Sequence, residues 1–259
     1  VLGSGGNTVF SDFGFAGLVI HNRSRTIAFL LDHSQVIVDS GVPSARLIME
    51  AAAKNLGGLE FLATIPGTIG GAVYGNAGAY GGITGDFVRG ATLLLPDGTV
   101  KNVAQAWLQF QYRSSKLKRL PRGHRQPIIL SVRLQFQHFK REDILKKISE
   151  MHKKRRERQP QGLTVSGSIF RNPAGRPSHL EGESKAFIER TASYLIRSSG
   201  AHRLRVGGAA IAKENANWIT NLGNARASDI RELAERVRLQ VREKTGEVLE
   251  EEIEYLGQW

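Results

Sequence analysis

Two glycine-rich stretches of this chain have the residue types to hold a ligand through the main chain. The first, Gly3-Ser4-Gly5-Gly6-Asn7, sits between Val1-Leu2 and Thr8-Val9-Phe10. A Gly/Ser/Asn nest of this kind can present backbone amides to a diphosphate. The second runs from Leu59 to Gly82 and contains Ile65-Pro66-Gly67-Thr68-Ile69-Gly70-Gly71 and then Asn76-Ala77-Gly78. Flexible glycine linkers are polar, whereas this stretch is apolar and almost uncharged. Glycines in such a setting let N–H groups approach a phosphate or a flat cofactor. They serve equally well in tight turns packed against a core, and the first loop is not a Gly-x-Gly-x-x-Gly that opens a helix. Near the other end, Leu249-Glu250-Glu251-Glu252-Ile253 reads as an acidic strand. In a strand Glu250 and Glu252 would share one face and Glu251 the other; a solvated edge strand is the plain alternative.

The bulk properties narrow the field. The 259 residues suffice for one large or two ordinary domains. The absence of cysteine excludes disulfides, cysteine zinc sites and thiol catalysis, and permits a reducing compartment. No apolar run approaches the roughly 20 residues a membrane-spanning helix needs. The net charge of +12 fits nucleic acid, an anionic membrane surface or a polyanionic small substrate, and also a merely solvated basic face. Much of it lies in Lys116 to Arg125 and Lys140 to Arg158.

The elements that must carry these residues follow from periodicity. Leu18-Val19-Ile20, Val36-Ile37-Val38 and Ile128 to Phe136 read as strands. Ala91 to Leu95 and Thr99 to Val103 flank a Pro96-Asp97-Gly98 turn and predict a hairpin. Pro43 to Asn55 predicts a helix with Ser44 as its cap and Leu47, Ile48 and Ala51 on one face. Arg141 to Arg158 predicts a basic helix with Ile144, Ile148 and Met151 inward. Phe187 to Ser199 predicts another, stopped by Gly200. Ser228 is expected to cap a last helix whose stripe is Ile230, Leu233, Val237 and Val241. Ile211, Trp218 and Ile219 suggest core strands.

Taken together, several of these segments resemble one family. Val1-Leu2-Gly3-Ser4-Gly5-Gly6-Asn7 looks like its strand and glycine loop, with the serine displaced. Gly58-Leu59-Glu60-Phe61, Ile65 to Ala72, and Asn76-Ala77-Gly78-Ala79-Tyr80-Gly81 are similar to its flavin segment. Tyr112-Arg113-Ser114-Ser115, Gln159-Pro160, Gly167-Ser168-Ile169-Phe170-Arg171-Asn172-Pro173, Arg205-Val206-Gly207-Gly208-Ala209 and Leu249-Glu250-Glu251-Glu252-Ile253 follow in its order. By this set the chain resembles the UDP-N-acetylenolpyruvoylglucosamine reductase (MurB) family over nearly its whole length.

The resemblance implies an α+β fold: an FAD-binding domain of the vanillyl-alcohol-oxidase type and a smaller α/β MurB C-terminal substrate domain. The expected division is residues 1–139, completed by 247–259, for FAD, 140–157 as a linking basic helix, and 158–246 for substrate. The implied activity is reduction of a UDP-sugar enolpyruvate by NADPH through FAD, in the cytoplasm, with no nucleic acid partner and no metal. The cofactor-binding residues it implies are Gly3, Ser4, Gly5, Gly6, Asn7, Ile65, Pro66, Gly67, Thr68, Gly70, Gly71, Asn76, Ala77 and Gly78. It implies Arg113 for the substrate carboxylate and developing enolate, Ser168 as proton donor and Glu252 as an assisting acid. Tyr112, Arg113, Arg156, Asn172 and Asn215 are the implied substrate contacts.

The chain also departs from the family pattern. An N-terminal part of the FAD domain is expected before Val1, and its loss would expose an apolar sheet edge. Gly75 stands for a larger residue, Asn215 for a His or Gln, and residues 174–190 are longer than the family's link. A degenerate member binding nucleic acid or an anionic surface through Lys140 to Arg158 is the competing reading, which the intact Arg113, Ser168 and Glu252 disfavour. Another flavin oxidase is disfavoured by the lack of a His or Cys flavin-attachment pattern.

Overall fold

The computed structural model describes residues 1–121, 126–160, 162–175 and 184–259. The chain folds as two compact units. The first comprises residues 1–4 and 19–153, the second residues 5–18 and 154–259. The basic cluster between Arg122 and Arg125, Gln161 and residues 176–183 of the expected insertion lie outside the described residues.

The first unit is built on a five-stranded antiparallel sheet. Its order is Ile27–Leu30, Gln35–Asp39, Ile128–Gln135, Val88–Leu94 and Val100–Ala104. Strand alternation puts Val36, Val38, Val132 and Leu134 on the buried face. The hairpin expected around Pro96-Asp97-Gly98 is present, its turn held by the Asp97 carboxylate accepting from the Thr99 N–H at 2.9 Å. The helix Ser44–Ala52 buries Leu47, Ile48 and Ala51, with Pro43 rather than Ser44 in the cap position. The glycine-rich stretch is neither a linker nor one long loop. It forms a 3-10 turn at Glu60–Thr64, the short helix Ile69–Gly75, and the tiny hairpin Gly78–Ala79 with Gly82–Ile83. Phe61, Leu62, Ile69 and Val73 from this stretch join the core.

The second unit holds a four-stranded antiparallel sheet. Its order is Thr164–Ser168, Trp218–Asn221, Ala209–Ile211 and Arg205–Val206. Helix Ala227–Thr245 covers the core with Leu233, Ala234, Val237 and Val241. Arg226, not Ser228, occupies its cap position. The Asp12 carboxylate, distant in sequence, accepts from the N–H groups of Ala227 at 2.8 Å and Ser228 at 2.9 Å. These are donors that a helix cannot satisfy internally.

Three further element expectations need correction. The single helix over Phe187–Ser199 is two, Lys185–Ile188 and Ala192–Ser198. Thr191 Oγ1 accepts from the Tyr194 N–H and starts the second one afresh. Leu18-Val19-Ile20 is not a strand, and all three side chains are exposed. The final strand is only Glu254–Leu256, so alternation does not sort the three glutamates before it. The two contact units are interleaved along the chain. Glu254–Leu256 pairs in parallel with Thr8–Phe10, and both strands belong to the second unit. The helix Arg141–Glu157 contains the point where the first unit ends and the second resumes.

Candidate active site and cofactor cradle

In the first unit the two glycine stretches meet. A Cβ on Gly3 would lie 2.4 Å from Thr68 Oγ1, so only glycine lets the first loop close onto the second. Thr68 also caps the helix Ile69–Gly75, its Oγ1 accepting from the Gly71 N–H at 3.4 Å. The N–H groups of Ile69 and Gly70 donate to the carbonyls of Val42 (2.9 Å) and Ser40 (2.8 Å). Those amides therefore tie the helix to the loop that follows strand Gln35–Asp39 instead of pointing at a ligand. A Cβ on Gly70 would stand 2.8 Å from Ser40 Cβ, so its glycine serves packing. Gly67 differs, since nothing lies within 4 Å of an added Cβ, and at Gly71 the nearest atom is 3.7 Å away. Ile65 and Pro66 lead into this open patch of bare backbone. An uncharged main-chain surface fits a flat, phosphate-bearing group such as FAD. Gly5, Gly6 and Asn7 belong to the second unit, whereas Gly3 and Ser4 belong to the first.

Asn76 has another task. It ends the helix in the left-handed region (φ 46°) and is 1% exposed. Its Nδ2 donates to the Gln111 carbonyl at 2.8 Å, and its Oδ1 accepts from the Gly85 N–H at 2.8 Å. Ala77 and Gly78 are likewise engaged: Thr84 donates twice to the Ala77 carbonyl, and Gly78 pairs with Ile83. Sequence reasoning could not see that Asn76 holds the segment carrying Arg113.

That segment is a tight turn. Gln111 and Ser114 exchange both main-chain hydrogen bonds, at 2.9 and 3.1 Å. Tyr112 and Arg113 are at the tip, with Arg113 in the left-handed region (φ 53°). A non-glycine residue there costs about 1–2 kcal/mol, so its surroundings must hold it. Ser115, fully buried, donates from Oγ to the Tyr74 carbonyl at 2.7 Å. Arg119 donates to Ser114 Oγ at 3.2 Å and to the Gln109 carbonyl at 2.8 Å. The Arg113 guanidinium lies 5.7 Å from the Tyr112 ring centroid, in cation–π range. Asn76, Gly85, Gln109, Gln111 and Tyr112 line an open cavity of about 390 Å³ beside the turn.

In the second unit the fold brings Ser168 close to the backbone of Glu252. Ser168 ends its strand opposite Trp218, after a bulge in which Gly167 takes φ 73°. The next residues run antiparallel to the acidic segment. The Glu252 N–H donates to the Ile169 carbonyl at 2.7 Å, and the Arg171 N–H donates to the Glu250 carbonyl at 2.9 Å. Asn7 Nδ2 donates to the Glu252 carbonyl at 2.8 Å, and the Glu254 N–H donates to the Asn7 carbonyl at 3.0 Å. Asn7 thus braces the chain at Glu252 and Glu254, on both sides of Ile253. The neighbouring glutamates point to other partners. Glu250 lies 3.5 Å from the Arg171 guanidinium, and Glu251 accepts from the Tyr255 hydroxyl at 3.3 Å. Burial, and then the Glu251 charge, raise the Tyr255 pKa well above its ordinary value.

The remaining candidates separate. Asn172 Oδ1 accepts from the Ala192 N–H at 3.1 Å and so anchors a helix start. Asn215 Oδ1 accepts from the Asn217 N–H at 3.1 Å within a turn. Arg156 is exposed, whereas Arg155 lies over the Trp218 ring at 5.7 Å, beside the residue paired with Ser168. The helical spacing alone did not distinguish these two arginines. Among the described residues, no group of three or more His, Asp or Glu side chains could hold a metal ion. No helix among them is long and apolar enough to cross a membrane.

The fold and the open backbone patch fit the class of FAD-binding oxidoreductases. Residues 1–104 match the FAD binding domain model, and residues 159–256 match the C-terminal domain of UDP-N-acetylenolpyruvoylglucosamine reductase. The chain belongs to the UDP-N-acetylenolpyruvoylglucosamine reductase family. It is 32% identical to that enzyme of Lachnoclostridium phytofermentans over 100% of this chain and 78% of the relative. It is 34% identical to that of Bacillus subtilis over 99% and 79% respectively. The crystal structure of MurB from Thermus caldophilus is similar with a TM-score of 0.75 and 31% identity, covering 98% of this chain and 84% of that one.

Proposed function

We propose that the chain reduces UDP-N-acetylglucosamine enolpyruvate to UDP-N-acetylmuramate at the expense of NADPH, as a cytoplasmic step in peptidoglycan precursor synthesis. The observation that carries the active-site assignment is the direct main-chain pairing of the Ser168 segment with Glu252. The pairing unites two residues of a pattern that also includes Arg113. Bound FAD supplies a hydride carrier between NADPH and the vinyl ether.

The substrate is a vinyl ether conjugated with a carboxylate. A hydride added at its β carbon leaves two electrons delocalised over the α carbon and carboxylate, and a proton must then reach the α carbon. Arg113 is assigned to the carboxylate, because a guanidinium binds it bidentately and stays charged. A preorganised cation aimed at developing charge lowers the barrier. Ser168 gives its hydroxyl proton to the α carbon. Serine is a weak acid, but the enolate is a strong base, so a well-placed hydroxyl suffices. Glu252 is assigned to assist around the enolate as an acid or hydrogen-bond partner. Tyr112 stacks on Arg113 and orients it, while exposed Arg156 is the candidate for the diphosphate. Asn172 and Asn215 are the further candidates for substrate contact.

The test is a purified chain mixed with FAD and desalted. The expected result is a retained flavin absorption band, bleached by NADPH and restored on adding the enolpyruvyl substrate. A chain that retains no flavin and instead binds DNA with steep salt dependence would reject the assignment in favour of a non-catalytic binding role.

A further inference from the structure

Resting on the reductase reading, we infer that Asn217 is a positioning residue for proton delivery by Ser168. Its side-chain amide replaces one residue of β-strand. A primary amide offers the donor and acceptor of a peptide group, and here both are engaged. Asn217 Oδ1 accepts from the Phe170 N–H at 3.0 Å, and Nδ2 donates to the Phe170 carbonyl at 2.8 Å. The Asn217 carbonyl accepts from the Ile169 N–H at 2.8 Å. The Ile169 carbonyl accepts from Glu252 on the opposite edge. All four main-chain groups of Ile169 and Phe170 are therefore satisfied, two by Asn217's side chain, one by its carbonyl and one by Glu252.

This arrangement matters because ordinary strand pairing ends at Ser168 opposite Trp218. Beyond that point no main-chain partner from the Trp218 strand continues the ladder past Ile169, and Asn217 does so with its side chain. Ile169 and Phe170 are buried at 0% and 1% exposure and Asn217 at 6%. In such a setting an unmatched donor or acceptor is not rescued by water. The segment following Ser168 is thus clamped between Asn217 and Glu252. The clamp fixes the proton donor and the acid relative to each other. Asn215 extends it by accepting from the Asn217 N–H.

Asn217→Asp keeps shape and acceptor but sets an anionic oxygen against the Phe170 carbonyl. The expected result is a split between the two halves of turnover. Flavin reduction by NADPH, which needs no proton from Ser168, stays within about twofold of wild type. Reoxidation by the enolpyruvyl substrate slows about 100-fold, the lower range of a positioned acid's contribution, and acquires a larger solvent deuterium effect. Acidification should restore the rate, because the protonated carboxyl regains the missing donor. Without any ligand, amide exchange at Phe170 and Glu252 should quicken about tenfold, matching the loss of one buried hydrogen bond. Asn217→Ser, neutral and smaller, should show the same split without the recovery in acid.

If both halves fall together, or reoxidation is unchanged in both variants, the inference is overturned. Ser168→Ala separates this from the underlying reading. Normal reoxidation in Ser168→Ala sinks the reductase assignment of Ser168 itself. Slow reoxidation there, with normal reoxidation in the Asn217 variants, sinks only the clamp.

Discussion

Replacing Asn76 should destabilise the first unit strongly. Its amide satisfies the Gln111 carbonyl and the Gly85 N–H at 2.8 Å each, and it is 1% exposed. Asn76→Ala leaves two buried groups unmatched at about 1–3 kcal/mol each. Alanine must also adopt φ 46°, which adds about 1 kcal/mol. The sum is about 3–5 kcal/mol after allowing for relaxation, a large share of the 5–15 kcal/mol that holds a typical domain together. Asn76→Gly removes the same two bonds without the conformational term and should be about 1 kcal/mol milder. Urea unfolding of the three proteins at neutral pH measures both differences. The Gln111–Ser114 turn loses its anchor in either variant, so KM for the enolpyruvyl substrate should rise before the fold is lost. A loss below about 1 kcal/mol in Asn76→Ala would refute the reasoning. So would a glycine variant as damaged as the alanine one.

Other outcomes follow from the same geometry. Gly71→Ala should leave melting unchanged or slightly raised, because its Cβ meets nothing nearer than 3.7 Å and alanine favours a helix by about 0.5–1 kcal/mol. The same variant should weaken flavin retention, whereas Gly70→Ala should lower melting directly by collision with Ser40; spectrophotometric flavin titration and calorimetry separate the two. Hydrogen bonds from the Ser228 side chain and from the Ser228 and Ala227 backbone lower the Asp12 pKa below 3.8. Its contribution is therefore present above pH 3.8 and lost as pH falls through the depressed value. In Asp12→Asn, amide exchange at the start of helix Ala227–Thr245 should be faster at neutral pH and should lose its acid dependence. Tyr255 has a pKa raised above 10.0. Its neutral form thus contributes stability that is complete below pH 10.0 and declines as pH rises toward the raised value. Tyr255→Phe should flatten that alkaline decline in a denaturation series, and an ordinary phenolate titration in the folded protein would contradict it.

Much of the fold was legible because its signals are local. The Pro96-Asp97-Gly98 hairpin rests on turn chemistry confined to a few residues. The helix Arg141–Glu157 rests on the spacing of Ile144 and Ile148, both buried. The failures were equally physical. Thr191 could be an interior or a capping residue until its Oγ1 found the Tyr194 N–H. Leu18-Val19-Ile20 has strand-like composition but is exposed. The Leu249 to Leu256 run pairs with two different segments, Phe170 and Thr8–Phe10, and so breaks between them.

By itself the sequence determined the family, the two kinds of domain, and the residues with chemistry to offer. Glycines, a Tyr-Arg-Ser-Ser run and an acidic terminus carry that information in their order along the chain. Tertiary structure decided which of these residues anchor neighbouring segments through their side chains. It made Asn76 the anchor of the Arg113 turn, and it gave Glu250 and Glu251 different side-chain partners. It also revealed Asn217, whose amide finds Phe170 47 residues earlier in the chain. The reason is that an amide side chain can serve in a turn, a cap or a ladder. Only the distant main-chain group that it meets in the folded core selects among these roles.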